Sequence, residues 1–253
     1  MSGLDWTFYL AAIPAVVLFG LSKGGFSALG TLGIPVFALA ISPVKAAAIT
    51  LPLMVIQDWV SVWAFRRDFD ARNLVIMIPG SLVGVGAGWL LASHVNEDVV
   101  RFAVGVISIG FVLFMLARDR IGRGKAASAD VAPGVFWGAL SGFTSFISHA
   151  GGPPMMIHVL PQKLPPRMFA GTSTMFFAAT NLLKVPPYFA LGQFSADNLF
   201  ASATLFPVAI ASTFAGVWLV RRIAAERFYN AVLLLTFLIG LKLSYDGLRA
   251  LLA

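Results

Sequence analysis

Residues 19–30 read Phe-Gly-Leu-Ser-Lys-Gly-Gly-Phe-Ser-Ala-Leu-Gly, and they interrupt an apolar stretch near the start of the chain. The adjacent glycines Gly24 and Gly25 predict that one helix ends here and another begins in mid-segment. Residues 141–154 read Ser-Gly-Phe-Thr-Ser-Phe-Ile-Ser-His-Ala-Gly-Gly-Pro-Pro and form a second interruption. Its glycines free the backbone, and its two prolines suit the first turn of a new helix. The chain therefore contains two broken helical segments.

The composition places these breaks in a membrane protein. The chain has 253 residues, of which 58% are apolar and 11% charged, and its mean hydropathy is +0.86. A soluble domain needs many more polar residues to cover its surface. The net charge of +7 comes without a basic helix face or a basic-aromatic module, so we expect no nucleic-acid partner. We predict an all-α, polytopic protein with a single transmembrane domain over residues 1–253, in contact with the lipid bilayer.

Ten apolar segments alternate with short charged or glycine-rich connections. They run over residues 6–21, 26–41, 44–65, 73–93, 99–117, 133–147, 153–160, 168–191, 198–220 and 228–252. A spanning helix needs about 20 mostly apolar residues. Segments 26–41 and 153–160 are too short or too rich in glycine and proline to be plain spans.

The basic residues indicate the orientation. Twelve of the 18 Lys and Arg residues lie in four stretches, residues 66–72, 118–125, 163–167 and 221–227. Placing these basic loops in the cytoplasm puts both termini outside. That result holds whether residues 6–41 and 133–160 each cross the membrane twice or dip in and return as a re-entrant hairpin.

The two halves of the chain share an ordered series of features. Each half has an Asn-Leu pair, then a Pro and a Gly nine residues apart on an apolar helix, then an Arg-Phe pair that opens another helix. The positions are Asn73, Pro79, Gly88 and Arg101 in the first half, and Asn198, Pro207, Gly216 and Arg227 in the second. We predict a duplication with repeats at residues 6–117 and 131–252. Because each half has an odd number of crossings, the repeats have inverted topology, an architecture of transporters with broken helices near the midplane. The glycine-rich run 80–88 is expected to allow close helix packing.

The first break is a candidate anion site. A helix that begins inside a membrane has free backbone N–H groups and a partial positive charge, which hydrocarbon cannot satisfy and an anion can. Lys23 adds a formal charge there, beside Ser22, Gly24 and Gly25. These four residues are candidates for binding a small anionic substrate. The alternative for Lys23 is a side chain that extends to the membrane interface.

The second break offers hydrogen-bond donors beside a new helix start. The candidates for substrate binding here are Ser145, Ser148, His149, Gly151 and Gly152. His149 is a candidate to bind the anion or to carry a proton, and the alternative is a structural histidine that bonds an unwound carbonyl group. The three histidines lack metal-ligand spacing with acidic partners, so we expect no metal site.

Polar residues also interrupt the third apolar segment of each half. Gln57 and Asp58 lie in the first half, and Thr172, Asn181 and Lys184 lie in the second. An ionisable group inside a membrane is costly and is a functional candidate by default, so all five are candidates for lining the site. A position at the interface is the alternative for Asp58 and Lys184. Hydrogen bonding between helices is the alternative for Gln57 and Asn181.

The motifs Gly20-Leu-Ser-Lys-Gly-Gly25 and His149-Ala-Gly-Gly-Pro-Pro154, one in each half, are familiar. Over essentially its whole length the chain resembles the sulfite exporter TauE/SafE family, also called TSUP, of bacterial membrane transporters. The resemblance implies a bacterial inner-membrane protein that moves sulfite, sulfonates or other organic anions, and it implicates residues 22–25 and 149–154. The family more often has a third glycine in the first motif, where this chain has Lys23 or Phe26 nearby.

Together these observations predict a secondary transporter that works by alternating access. Its substrate is expected to be a sulfur-containing anion such as sulfite, a sulfonate or a sulfoacetate-like ion, held between the two opposed helix starts. The sequence has no nucleotide-binding motif, and we expect neither a cofactor nor enzymatic activity. An anion channel and an exporter of another small organic anion are the alternatives. The direction of transport, the coupling ion and the formation of a homodimer are left open.

Overall fold

The structure is a computed structural model that describes residues 6–92, 94, 96–120 and 126–252. These residues form ten α-helices, and the described part of the chain contains no β-strand, which confirms the all-α prediction. The helices are α1 (Trp6–Ser22), α2 (Gly33–Phe37), α3 (Pro43–Phe65), α4 (Ala71–Leu91), α5 (Glu97–Arg120), α6 (Val131–Ser148), α7 (Gly152–Val159), α8 (Pro166–Ala190), α9 (Ala196–Arg222) and α10 (Ala225–Leu252). Two short 3-10 helices, Ser27–Leu32 and Leu160–Gln162, complete the two broken segments.

The surface and the interior have the polarity of a membrane protein. Six helices, α3, α4, α5, α6, α9 and α10, contain stretches long and apolar enough to cross a membrane. Large apolar side chains such as Trp59, Val75 and Phe189 are exposed on the helix surfaces, whereas Lys23, Asp58 and many hydroxyl side chains are buried. A lipid environment accepts the first group and excludes the second. The chain is therefore a multi-pass membrane protein, as its composition predicts.

Three of the four basic stretches, residues 66–72, 163–167 and 221–227, meet at one end of the helices. Arg167 pairs with Asp68 (2.7 Å), and Arg221 donates to the Ala64 carbonyl (3.1 Å). Arg72 also donates to the carbonyl of Ala129, in the connection before α6 (2.9 Å). The topology prediction requires these loops to share a side. The side of the membrane that they face stays a prediction.

The first broken segment is a helical hairpin. After α1 the chain turns at residues 23–26, and the 3-10 helix and α2 run back along α1. Near the turn a Cβ at Gly33 would lie 2.2 Å from the Phe19 ring, and at the far end the rings of Phe8 and Phe37 are 5.4 Å apart. Residues 6–41 therefore form a helix and a returning segment, and whether they cross the membrane twice stays open.

The second broken segment folds in the same way. Close to the turn, Ser141 donates its hydroxyl to the Gly151 carbonyl (2.7 Å). At the other end of the hairpin a Cβ at Gly134 would lie 2.9 Å from His158 Nε2. Helices α6 and α7 are therefore antiparallel, and each half of the chain contributes one hairpin.

The contacts between helices follow a pattern that is repeated in the two halves of the chain. The hairpin helix α1 packs on α9, and the hairpin helix α6 packs on α4, while α3 contacts α8 and α5 contacts α10. We match α1, α3, α4 and α5 with α6, α8, α9 and α10, in that order. The α1–α9 contact then corresponds to the α6–α4 contact, and the α3–α8 and α5–α10 contacts each correspond to themselves. Two related halves would give this pattern. The inverted topology and the repeat boundaries themselves stay predictions.

The paired asparagines of the two halves mark capped helix starts. The Asp70 side chain accepts a hydrogen bond from the Asn73 backbone N–H at the start of α4 (2.8 Å). Ser195 does the same for Asn198 at the start of α9 (3.3 Å). A cap of this kind contributes about 0.5–2 kcal/mol because it satisfies a free helical N–H group. The repeated Asn-Leu pair is thus part of a repeated helix start.

Glycines hold the second hairpin close to α4. A Cβ at Gly84 would lie 1.9 Å from the Ala139 carbonyl oxygen, and Gly80 and Gly88 also face α6, whereas Gly86 has no neighbour within 4 Å. A side chain at the contacting positions would push the two helices apart. The expectation of close packing by the glycine-rich run is confirmed for these three glycines.

Candidate functional site

Each hairpin tip contains one residue in the left-handed backbone region. Gly25 has a φ of +91° and His149 a φ of 54°. Glycine adopts this region without strain, but histidine does so much less readily. The backbone N–H groups of His149 and Ala150 both donate to the Thr144 carbonyl across the end of α6, and these bonds hold His149 in this conformation. The imidazole is thereby fixed at the tip.

The two tips meet at a small buried cavity of about 30 Å³. Its walls come from both hairpins and from α3 and α8: Ser22, Lys23, Ser27, Gly30, Met54, Ser145, His149, Gly152, Ser173, Thr174 and Phe177. A space of this size holds roughly one water molecule. An anion with several heavy atoms would fit only if the walls moved apart.

The positive charge of the first tip is paired. The Lys23 ammonium forms a salt bridge with the Asp58 carboxylate of α3, and both side chains are 5% exposed. The other carboxylate oxygen of Asp58 accepts a hydrogen bond from the Asn181 amide of α8 (2.7 Å). The extended, interfacial position of Lys23 that the sequence left open does not occur in this structure. A charge pair therefore joins α1, α3 and α8 beside the cavity.

The lysine of the second half has only neutral partners within the described residues. Lys184 is fully buried on α8. Its Nζ atom donates to the Ser145 hydroxyl (3.2 Å) and lies 3.4 Å from the Ser145 carbonyl oxygen. Within the described residues it has no carboxylate partner. Since Ser145 is a wall of the cavity, Lys184 Nζ lies one hydrogen bond away from it.

His149 provides the one buried side-chain polar atom without a partner among the described cavity walls. Its side chain is 6% exposed, and its Nε2 atom is buried without a hydrogen-bond partner within the described residues. A buried polar atom without a partner costs free energy, about 1–3 kcal/mol. A ligand or a water molecule in the cavity would remove that cost.

Helix α8 also holds the first tip through hydroxyl groups. The Ser173 and Ser27 hydroxyls are 2.5 Å apart, and Thr174 donates to the Lys23 carbonyl (3.2 Å). These contacts join residues of the two halves directly at the cavity. They place three hydroxyl side chains in or against the space that an anion would occupy.

The helix start of the second hairpin offers fewer donors than the sequence suggests. Pro153 and Pro154 have no backbone N–H, and the Met155 N–H donates to the Gly151 carbonyl (3.3 Å). Among the first four residues of α7, only Gly152 retains a free N–H group. The side chains at the cavity therefore contribute more of the potential anion contacts than the backbone does.

The structure brings five of the predicted binding residues to the cavity and places the others around it. Ser22, Lys23, Ser145, His149 and Gly152 line the cavity. Asp58, Asn181 and Lys184 lie directly behind these walls, bonded to them or to one another.

The remaining predicted residues have structural contacts. Three are glycines in close packing: Gly24 on the Gly216 carbonyl, Gly25 on Phe228 and Gly151 on the Ser141 carbonyl. Ser148 donates to the Thr144 carbonyl, and Thr172 accepts from the Asp70 N–H. Gln57 donates to the carbonyls of Val16 and Ala209. Gln57 thus ties α3 to α1 and α9, which is the interhelical role that the sequence left open for it.

Sequence reasoning missed several walls of the cavity. It selected Thr172 from the run of three hydroxyl residues on α8, whereas Ser173 and Thr174 face the cavity. Ser27 lies inside the first break, and its proximity to that motif was the available signal. Met54 and Phe177 are apolar residues on apolar helices, and the sequence carries no signal for them.

The chain is thus a membrane protein in which the tips of two helical hairpins meet at a small cavity lined mainly by polar residues. The chain matches the family model described as sulfite exporter TauE/SafE over residues 12–243. The match includes both hairpin tips and most of the chain, so this protein belongs to the sulfite exporter TauE/SafE family, a family of membrane transporters. Comparisons with curated proteins and with solved structures found no match.

Proposed function

We propose that this protein is a secondary transporter for a small sulfur-containing anion, with sulfite as the first candidate. The observation that carries the proposal is the cavity between the two hairpin tips. Its walls include Lys23, the hydroxyl residues Ser27, Ser145, Ser173 and Thr174, and His149, whose Nε2 atom has no partner within the described residues. Hydroxyl and ammonium groups are suitable donors for oxyanions. Membership of a transporter family supports a role for this cavity in anion transport.

Alternating access is the proposed mechanism. The cavity is too small for sulfite as described, so binding requires the hairpin tips to separate. Helix α1 packs on α9, whereas α6 packs on α4, so each hairpin is attached to a different part of the helix bundle. Rocking of these two parts would open the cavity first to one side of the membrane and then to the other.

The proposed location is a bacterial inner membrane, with the basic loops in the cytoplasm and both termini outside. Three of the four basic stretches lie at one end of the helices, and a Lys and Arg excess is typical of cytoplasmic loops. Cysteine labelling tests this orientation. The chain has no cysteine, so a single introduced cysteine shows on which side of the membrane its loop lies. In intact cells a membrane-impermeant maleimide should label Ala196→Cys, and it should label Ala126→Cys only after permeabilisation. The opposite pattern would reverse the orientation.

Flux into proteoliposomes tests the proposed function. Vesicles that contain the purified protein should take up radiolabelled sulfite with saturation, and preloading with unlabelled sulfite should accelerate uptake by counterflow. Protein-free vesicles correct for passive leak. Competition by thiosulfate, methanesulfonate and acetate then ranks the substrate classes. Flux that neither saturates nor shows counterflow would indicate an anion channel, and the absence of flux for all four anions would contradict the proposal.

A further inference from the structure

Four ionisable residues at the site occupy matching places in the two halves. Lys23 directly follows the last residue of α1, and His149 directly follows the last residue of α6. Asp58 lies on α3 and Lys184 on α8, the helix that matches α3 in the packing. Each residue of the second half lies 126 positions after its counterpart in the first. The first half therefore has a base and an acid where the second half has two bases.

The first half balances its own charge. The Lys23 ammonium and the Asp58 carboxylate form a buried salt bridge, and Asn181 satisfies the second carboxylate oxygen. Neither charge is left unpaired in a place where water is scarce. This pair needs no ligand in order to be neutral.

Among the described residues at the site, the second half has no acid to balance its two bases. Lys184 is 0% exposed and has only the two oxygens of Ser145 as partners within the described residues. His149 has an unpartnered Nε2 at the cavity. A buried ammonium without a counterion is costly because the interior screens and solvates charge poorly. Lys184 is therefore least costly as a neutral amine when the cavity holds no anion.

The surroundings of Lys184 contain no second carboxylate in the part of the chain that the structure describes. The ionisable neighbours that act on it are Asp58 of α3, Lys23 after α1 and His149 after α6, and Asp58 is already paired with Lys23. On α4 and α9, which also pack on α8, the ionisable residues are confined to the first and last turns: Arg72, Asp197, Arg221 and Arg222. From α10, Tyr229 donates its hydroxyl to the Leu164 carbonyl.

We propose that Lys184 takes up a proton when the anion binds, so that the anion and a proton move through the protein together. The anion then supplies to the second half the negative charge that Asp58 supplies to the first. The step is an association of the neutral Lys184 amine, a proton from the aqueous phase and the anion into an ammonium–anion pair, and release on the other side reverses it. This inference rests on the proposed anion transport.

The charge balance predicts the electrical behaviour of transport. A monoanion that moves with a proton carries no net charge, so its flux should not respond to a membrane potential. If position 184 kept a permanent positive charge, the same anion would cross without a proton, and each cycle would move one negative charge. The identity of the side chain at 184 should therefore decide whether transport is electroneutral.

Three variants test the inference in proteoliposomes with a clamped potential. In mildly acidic buffer, where sulfite is mainly the monoanion hydrogensulfite, the unmodified protein should give a sulfite flux that is independent of the potential. Lys184→Arg should retain flux and make it depend on the potential, since arginine stays protonated. Lys184→Met should lose most saturable flux. Lys242→Met removes a half-exposed lysine that pairs with Asp246 on α10 and should behave like the unmodified protein.

A measurement on the unmodified protein keeps the inference testable if Lys184→Arg does not fold. In weakly buffered solution with a pH indicator, methanesulfonate and sulfite are added to the detergent-solubilised protein. Methanesulfonate stays a monoanion, so proton uptake on its binding must occur on the protein. If methanesulfonate does not bind, the proton uptake that accompanies sulfite binding is compared between the unmodified protein and Lys184→Met.

The outcomes separate the two proposals. Saturable sulfite flux without any proton uptake, or with the same dependence on potential in the unmodified protein and in Lys184→Arg, would overturn the proton role of Lys184 and leave the transport function intact. The absence of saturable flux in the unmodified protein would overturn the transport function itself.

Discussion

The two hairpin tips are built alike but differ in how their charges and polar atoms are satisfied. The first tip ends in Lys23, which is bonded to Asp58, and its turn uses a glycine with positive φ. The second tip ends in His149, held in a left-handed conformation. In the part of the chain that the structure describes, His149 Nε2 has no partner and the nearby Lys184 has only neutral partners. The first tip is complete without a ligand, and the second is not. We infer that the first tip mainly supports the structure and that the second mainly binds the anion.

The largest expected effect comes from breaking the charge pair of the first tip. Asp58→Asn leaves Lys23 as a buried charge without a counterion, and removal of one partner of a buried pair costs about 3–5 kcal/mol. Thermal unfolding in detergent should show a large drop in Tm. The double variant Lys23→Met with Asp58→Asn removes both charges and should recover most of the loss. An Asp58→Asn variant as stable as the unmodified protein would show that the pair does not support the first tip.

The second-largest expected effect comes from disturbing the close packing of the second hairpin on α4. Gly84→Ala places a methyl group where the Ala139 carbonyl oxygen lies, and overpacking of this kind costs about 1–3 kcal/mol. Gly86→Ala is the matched control, because nothing lies within 4 Å of its Cβ. The Gly84 variant should unfold at a lower temperature, and the Gly86 variant should be unchanged or slightly more stable. Equal Tm values for the two variants would contradict close packing as the reason for these glycines.

Substitutions of His149 separate its backbone role from its side-chain role. Glycine suits the left-handed conformation and alanine does not, so His149→Ala should be less stable than His149→Gly by about 1–2 kcal/mol. Both variants remove the imidazole and should weaken sulfite binding to a similar extent. If His149→Gly bound sulfite as tightly as the unmodified protein, the side chain would have only a structural role.

The smallest expected effect is the loss of one hydroxyl contact between the halves. Ser173→Ala removes the bond to Ser27 at the cavity, and a hydrogen bond of this kind contributes about 0.5–1.5 kcal/mol. We expect a small decrease in Tm with a measurable weakening of sulfite binding. A control is Thr172→Ser, which keeps the hydroxyl that accepts from the Asp70 N–H away from the cavity. Weaker binding in the control but not in Ser173→Ala would show that the Ser173 hydroxyl does not contact the anion.

The class of fold and the two breaks were predictable because their signals are local or compositional. Adjacent glycines end a helix wherever they stand, and low charge over the whole chain indicates a lipid environment. The spaced glycines that face α6 are likewise a local signal, in this case for close helix packing. In each case a few neighbouring residues carry enough information to determine the structure.

The pairing within the site was not predictable from the sequence. Lys23 and Asp58 are 35 residues apart and lie on different elements, and no local pattern indicates which base an acid will meet. The choice of Thr172 over Ser173 shows a second limit. Each residue step along a helix turns the side chain by about 100°, so a run of three hydroxyls does not reveal which one faces the cavity. That depends on how α8 packs against α3.

The binding of radiolabelled sulfite to purified protein tests the central claim, that the anion binds between the two hairpin tips, most directly. The unmodified protein should bind sulfite with saturation, and Lys242→Met should bind it with the same affinity. Ser145→Ala and His149→Gly, which alter two walls of the cavity, should each weaken binding severalfold or more while the protein stays folded. Unchanged affinity in both cavity variants would place the anion elsewhere in the molecule.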